Sequence, residues 1–105
     1  MAQFDVYSNP SRKSKEAYPY LVDVQHSVID QLATRLVVPL TEVNSKPNMV
    51  MKKLTPEIDF EGRNYLFMSP QLASVPQSIL KQPIGTLQNF RTILIDAIDF
   101  TITGT

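Results

Sequence analysis

Up to residue 76 the chain alternates apolar and polar positions in short runs, a pattern typical of half-buried β-strands. The alternation predicts four strands, at Gln3–Tyr7, Tyr18–Gln25, Thr34–Leu40 and Leu72–Pro76. In the second strand, Tyr20, Val22 and Val24 share one face. Asp23 therefore belongs to the opposite face, which we expect to be exposed to solvent, because successive side chains of a strand point to opposite sides.

Two polar segments and one tight turn separate these strands. A hairpin is predicted over Glu57–Met68, because Gly62 supplies the positive φ angle that such a turn needs. Ser8–Glu16 is almost entirely polar and is expected to be a solvated loop. Asn44–Met51 contains Pro47 and several polar residues, so it is also predicted to be a loop.

The hydrophobic period changes near the C-terminus. After Gly85, side chains suited to a helix's buried face recur at helical spacing, at Leu87, Phe90, Leu94, Ala97, Ile98 and Thr101. This spacing predicts an amphipathic helix of about four turns, with Thr86 as its N-cap and Gly104 as a left-handed C-cap. The predicted fold class is mainly β, a β-dominated α+β domain spanning residues 1–105, in which a small barrel or curled sheet is covered by one helix.

Composition and charge exclude several function classes. The 105 residues carry ten basic and ten acidic side chains, no cysteine, and a single histidine, His26. Thiolate metal sites and cysteine nucleophiles are therefore excluded, and the balanced charge argues against binding nucleic acid chiefly through its phosphates. Phosphate-binding loops and nucleophile elbows are missing, so we expect no cofactor, no metal and no enzyme activity. No signal peptide or apolar span is recognisable, which predicts a cytoplasmic protein without a membrane partner.

A few residues allow two interpretations at this stage. His26 is expected to lie exposed in a loop, and a general-base role for Asp23 is the less favoured interpretation. Val28 and Ile29 are adjacent apolar residues in a polar connection, where they either plug the end of a barrel or form an exposed contact surface. The C-terminal helix continues almost to the last residue, so Gly104 is either a simple cap or part of a presented surface.

Five segments spread over the whole chain carry a resemblance to a known family. They are Gln3-Phe4-x-Val6-Tyr7, Val22-Asp23-Val24-Gln25, Arg35-Leu36-Val37-Val38-Pro39-Leu40, Leu72-Ala73-Ser74-Val75-Pro76 and Ala97-Ile98-Asp99-Phe100-x-Ile102-Thr103-Gly104. In order and spacing they resemble the CcdB toxins, which are the toxin halves of CcdA–CcdB toxin–antitoxin modules. The resemblance rests on all five segments together, since no short motif among them is decisive alone.

The resemblance implies an SH3-like β-barrel with a C-terminal α-helix that forms a two-fold symmetric homodimer. It also implies that the protein poisons DNA gyrase by binding its A subunit and trapping the cleaved-DNA complex, acting by binding and not by catalysis. The gyrase-binding positions that it implies are Val28, Ile29, Asp99, Ile102, Thr103, Gly104 and Thr105.

The resemblance implies a second partner, a CcdA-type antitoxin with a disordered acidic tail. Part of that tail is expected at the polar loop, through Ser8, Asn9, Arg12, Lys13 and Lys15. Charge complementarity there would speed the encounter of the two proteins. Toxin and antitoxin together are expected to repress their own operon and to serve plasmid maintenance, with operator DNA contacted only through the antitoxin.

One departure from the family pattern concerns the last residue. Family members usually end in Gly-Ile, whereas this chain ends in Thr105. A buried aliphatic tip is worth about 1.5–3 kcal/mol, so we expect gyrase poisoning to be weakened or lost while antitoxin binding survives. A gyrase-inactive homologue that retains only antitoxin binding is therefore one alternative function.

The other alternative is an endoribonuclease toxin of the same barrel fold, of the Kid and MazF type. Arg35, Asp23 and His26 are the obvious candidates for RNA cleavage, although the neutral chain lacks a basic surplus to attract RNA. Homodimer formation gains modest support from apolar residues on adjoining strands, which we expect to exceed what one helix can cover. They are Leu36, Val37, Val38, Phe67 and Met68.

Overall fold

A computed structural model describes residues 2–26, 32–43 and 49–104 of the chain. Within these ranges seven strands form one antiparallel sheet. The strands are β1 Asp5–Ser8, β2 Tyr20–Asp23, β3 Thr34–Glu42, β4 Glu57–Phe60, β5 Arg63–Phe67, β6 Ala73–Pro76 and β7 Gly85–Thr86. The helices are α1 Met49–Leu54 and α2 Arg91–Thr103, with 3-10 turns at Ser69–Gln71, Gln77–Ile79 and Gln88–Phe90.

The nine-residue strand β3 organises the sheet. One edge of β3 pairs with β2, and its other edge is shared by β5 at one end and β6 at the other. The order across the sheet is β4–β5–β3–β2–β1–β7, with β6 beside β3. The expected hairpin is confirmed as β4 and β5, joined through Gly62 at φ 81°.

The sheet curls until β4 and β7, the two strands at the ends of its pairing order, come into contact. Gly85 in β7 lies against the ring of Phe60 in β4, where a Cβ atom at residue 85 would lie 2.7 Å from Cε1 of Phe60. The Phe60 ring in turn packs edge-on against Tyr20, with 5.4 Å between the ring centroids. The curl therefore brings together strands that stand at opposite ends of the pairing order.

Both faces of the central strands are buried. On the concave side, Val6, Val22, Val38 and Leu40 pack with Leu94 and other residues of α2 in the main core. On the other side, a second cluster contains Tyr7, Leu21, Val37 and Leu80. The predicted fold class, mainly β with a curled sheet and a C-terminal helix, is confirmed.

The start of the C-terminal helix is later than the sequence predicts. Thr86 is not the N-cap of α2, because it belongs to β7 and pairs with Asp5. Its hydroxyl oxygen accepts a hydrogen bond from the Gln88 N–H (3.2 Å), next to the 3-10 turn that leads into α2. The threonine hydroxyl is thus used in a local turn, five residues before the α-helix begins at Arg91.

Two other boundaries differ for identifiable reasons. Phe4 adopts a φ of 71° while its side chain is fully buried, so the first strand begins only at Asp5. The segment predicted as a loop over Asn44–Met51 enters α1 at Met49, and residues 44–48 lie outside the described ranges. None of the described helices is long and apolar enough to cross a membrane.

Candidate functional site

The C-terminal end of α2 presents a defined surface. Gly104 adopts the left-handed conformation (φ 74°, ψ 13°), and its N–H donates to the Phe100 carbonyl at 2.9 Å. This is the C-cap that the sequence predicts, and glycine suits it because a side chain is disfavoured at positive φ. The cap stops the helix at Thr103, whose hydroxyl donates to the Asp99 carbonyl at 2.7 Å. The last turn is therefore held by local hydrogen bonds.

An exposed isoleucine stands on this last turn. The side chain of Ile102 is 67% exposed, the largest value among the exposed large apolar residues of the described chain. Asp99 and Thr103 are also exposed. Four of the seven predicted gyrase-binding residues, Asp99, Ile102, Thr103 and Gly104, thus lie together at the helix end, while Thr105 lies outside the described residues.

A groove of about 690 Å³ runs beside this surface, between α1 and α2. Asp96, Asp99, Phe100 and Thr103 line it from α2, and Lys52 and Lys53 line it from α1. The Lys53 ammonium lies 5.5 Å from the centroid of the Phe100 ring, within the range of a cation–π contact. The sequence pattern does not predict the two lysines as site residues, because their place in the groove depends on how α1 packs on α2.

The strands on either side of Val28 and Ile29 hold a buried ion pair. The Arg35 Nε donates to Asp23 Oδ2 at 2.9 Å, and Arg35 Nη2 lies 2.7 Å from the same oxygen. Both side chains are 0% exposed. The expectation that Asp23 faces solvent is wrong, because the face opposite Val22 is itself covered by a second core. Val28 and Ile29 lie outside the described residues.

The environment of Asp23 shifts its titration. Burial raises the pKa of the Asp23 carboxyl above its ordinary value, and hydrogen bonds from Arg35 and from the Gln25 N–H offset only part of this effect. With no exposed surface, Asp23 and Arg35 cannot touch a bound macromolecule. His26, by contrast, is exposed as predicted.

The polar loop predicted to bind an antitoxin is ordered by Asn9. The Asn9 side-chain amide donates to the Tyr18 carbonyl at 2.7 Å and to Ser14 Oγ at 3.0 Å, and its Oδ1 accepts from the Ser11 N–H at 2.9 Å. Asn9 is buried, whereas Ser8, Arg12, Lys13 and Lys15 are exposed. The loop therefore displays three cations around a buried amide.

The apolar surface expected to drive dimer formation is mostly covered. Val37, Val38 and Phe67 are buried within the two cores. Leu36 is the exception, with 41% of its side chain exposed, and Met68 is half-buried. Among the described residues, no group of three or more histidine or acidic side chains is placed to hold a metal ion.

Solved structures with the same fold come from toxins and endoribonucleases. One is described as an endoribonuclease in complex with its cognate antitoxin from a mycobacterial species, with 10% identity and a TM-score of 0.73, covering 97% of this chain and 94% of that one. Another is the Mycobacterium tuberculosis toxin MazF-mt6, with 14% identity and a TM-score of 0.68, covering 93% of both chains. A further mycobacterial endoribonuclease shares 10% identity, with a TM-score of 0.72 and coverage of 97% and 90%.

These structures correct one expectation from the sequence. The prediction that the protein is not an enzyme is wrong, because it inferred the absence of catalysis from a scarcity of familiar motifs. Two of the similar structures are described as endoribonucleases and have nearly the same extent as this chain. The same fold therefore also occurs in proteins described as endoribonucleases, and a scarcity of familiar motifs does not exclude catalysis on it.

The sequence itself matches a single family over almost its whole length. The family model described as CcdB protein covers residues 3–104. That range includes every described strand and both helices. The chain belongs to the CcdB family, the toxins of toxin–antitoxin modules.

Proposed function

We propose that this toxin binds the A subunit of DNA gyrase and traps the complex in which the DNA is cleaved. The observation that carries the proposal is the exposed end of α2, where Ile102 stands 67% exposed on a turn fixed by the Gly104 cap. Burying an apolar side chain that is exposed in the free protein makes the free energy of binding more favourable. Asp99 and Thr103 flank it with polar groups able to fix orientation.

Val28, Ile29 and Thr105 complete the proposed gyrase-binding surface. They are assigned to it by the family pattern, and they lie outside the described residues. The described part of the chain supports the helix end alone, through Asp99, Ile102, Thr103 and Gly104. A site divided between the helix end and the β2–β3 connection would draw on two separate parts of the fold.

The second proposed partner is an antitoxin of CcdA type with an acidic segment. Its supporting observation is the loop in which Arg12, Lys13 and Lys15 are exposed around the buried Asn9. Exposed cations attract an acidic chain at long range and raise the association rate. The similar endoribonuclease that was solved with its cognate antitoxin is in keeping with such a partner.

The toxin is proposed to act as a homodimer and, with its antitoxin, to repress its operon. A two-fold dimer would place two copies of the α2 end on one particle, which suits a two-fold symmetric target. Because the chain has ten basic and ten acidic residues, operator DNA would be contacted through the antitoxin.

The test of this function is a cleavage assay with purified bacterial DNA gyrase and supercoiled plasmid. The toxin is expected to raise the amount of linear DNA recovered after denaturing the complex, with a potency that Thr105 lowers, and added antitoxin is expected to reverse the effect. No increase in cleaved DNA at any toxin concentration would reject the proposal. A protein that fails this assay but still binds the antitoxin would be the gyrase-inactive homologue.

A second candidate function is RNA cleavage, favoured by the endoribonucleases that share this fold. The buried Asp23 and Arg35 are out of reach of RNA, so among the three candidates from the sequence only His26 is accessible. Discrete cleavage products from a defined messenger RNA, lost in His26→Ala, would support this function. Intact RNA after prolonged incubation would reject it.

A further inference from the structure

The last turn of α2 extends beyond the part of the helix that packs in the core. The buried residues of α2 are Leu94 and Ala97, and every residue from 98 to 104 is half-buried or exposed. Helix ends fray unless contacts with other elements hold them. The hydrogen bonds of the Gly104 cap and of the Thr103 hydroxyl act within the helix, so they do not fix this turn relative to the rest of the fold.

A contact from α1 reaches this turn through the ring of Phe100. The Lys53 ammonium lies 5.5 Å from the centroid of that ring, within the range of about 6 Å for a cation–π contact. Phe100 is half-buried, and its carbonyl accepts the N–H of the Gly104 cap at 2.9 Å. Phe100 therefore belongs to the cap that ends α2 and also contacts α1, two residues before the exposed Ile102.

The backbone of Lys53 is itself anchored, because the chain that follows it is fixed to the sheet. α1 ends at Leu54, and the next two residues, Thr55 and Pro56, are both buried. The Pro56 carbonyl accepts a hydrogen bond from the Phe67 N–H in β5 at 2.9 Å. The end of α1 therefore has a fixed position relative to the sheet, and the lysine extends from it over the ring on α2.

We infer that Lys53 and Phe100 are positioning residues, which hold the last turn of α2 relative to the sheet and so orient Ile102 for target binding. The affinities expected for their variants rest on the proposed binding of gyrase. The geometric part, that Lys53 holds the last turn through the Phe100 ring, is independent of any target. Loss of a cation–π contact at an exposed site corresponds to about a two- to fivefold change in an equilibrium constant.

The test is a double-mutant cycle of Lys53→Met, Phe100→Leu and the two substitutions combined. Methionine keeps an unbranched side chain without the charge, and leucine keeps an apolar side chain without the ring. Lys53→Arg retains the cation and is the conservative variant, and Lys81→Met, at an exposed lysine outside both helices, is the control. The quantities compared are the urea midpoint of unfolding, the backbone order parameter of Ile102 from NMR relaxation, and the Kd for the purified gyrase A subunit.

Lys53→Met is expected to keep its urea midpoint, because Lys53 is exposed, to lower the order parameter of Ile102, and to weaken gyrase binding about two- to fivefold. Phe100→Leu is expected to lower the order parameter and the affinity at least as much. The combined variant should bind no more weakly than Phe100→Leu alone, because the lysine acts only through the ring. Lys53→Arg and Lys81→Met should match the wild type.

An unchanged order parameter of Ile102 in Lys53→Met would overturn the inference, and so would an unchanged affinity of that variant for gyrase. Multiplying losses of affinity in the combined variant would also overturn it, because Lys53 would then contact the target directly and not act through Phe100. If the wild type does not bind gyrase, the proposed function fails, and the order parameter still decides whether Lys53 holds the last turn.

Discussion

Gly85 in β7 packs directly against the ring of Phe60 in β4, so that a Cβ atom on residue 85 would lie 2.7 Å from Cε1 and 2.9 Å from Cζ of that ring. These strands occupy opposite ends of the pairing order, β4–β5–β3–β2–β1–β7. The curl of the sheet thus brings the Phe60 ring of β4 against the backbone of Gly85 in β7. A glycine is needed at this position because any side chain would occupy space already filled by the ring.

Gly85→Ala is predicted to destabilise the fold by about 1–3 kcal/mol, because the Phe60 ring is wedged between other aromatic rings and has little room to move. The measurement is the free energy of unfolding in urea. Combining Gly85→Ala with Phe60→Leu removes the clash, so the pair of substitutions should cost less than the sum of the two. If the losses in the free energy of unfolding of the two single variants add up in the double variant, the contact between residue 85 and Phe60 does not limit the packing.

Arg35→Met is predicted to destabilise the protein more at neutral pH than at pH 4. Without Arg35 the pKa of the Asp23 carboxyl should rise further, because burial raises it and the opposing cation is gone. When the pKa of a carboxyl is higher in the folded protein than its ordinary value of 3.8, the folded protein loses stability as the pH rises from that ordinary pKa through the pKa in the folded state. The cost should approach about 3–5 kcal/mol at pH 8.

Urea unfolding of the wild type and Arg35→Met between pH 4 and 8 measures this dependence. Arg63→Met is the control, since its partner Glu42 is exposed and little change is expected at any pH. A constant difference between wild type and Arg35→Met across the range would mean that Asp23 does not titrate as its burial implies.

Asn9→Ala is predicted to destabilise the fold by about 1–3 kcal/mol, because it leaves the Tyr18 carbonyl and the Ser11 N–H without the bonds that Asn9 provides. The same variant should bind an acidic antitoxin less tightly, because the loop must then be ordered on binding. Ser78→Ala, at an exposed serine outside this loop, is the control. A stability equal to the wild type would show that Asn9 does not hold the loop.

Thr105→Ile is predicted to increase the potency against gyrase by about tenfold or more. A buried aliphatic side chain is worth about 1.5–3 kcal/mol relative to an exposed one, and 1.4 kcal/mol corresponds to a factor of ten in affinity. The measurement is the toxin concentration that gives half-maximal gyrase cleavage. Equal potency of the two proteins would show that Thr105 does not weaken gyrase poisoning.

The strands were largely predictable from the sequence because alternation reports directly on which residues share a face. The hairpin and the Gly104 cap were predictable for a similar reason, since each depends on a glycine at positive φ. The start of α2 was not, because Thr86 is recruited into β7 by pairing with Asp5, a contact between residues far apart in the chain. The pairing of β7 with β1, and not the local capping preference of Thr86, therefore determines where α2 begins.

The candidate site was predictable only where it follows a local pattern. Asp99, Ile102 and Thr103 lie on a helix whose spacing is evident in the sequence. The burial of Asp23 was missed because alternation cannot tell a solvent face from a face covered by a second core. Lys52 and Lys53 were missed because their place in the groove depends on how α1 packs on α2.

The central claim, that the end of α2 binds gyrase, is tested most directly by titrating the purified gyrase A subunit with wild-type toxin, Ile102→Asp and Ile84→Asp in a calorimeter. Ile84 is the matched control, since it is an isoleucine with 42% of its surface exposed and does not line the groove beside the helix end. We predict that the wild type and Ile84→Asp bind alike and that Ile102→Asp binds at least tenfold more weakly. Equal affinity of all three proteins, or no binding by the wild type, would contradict it.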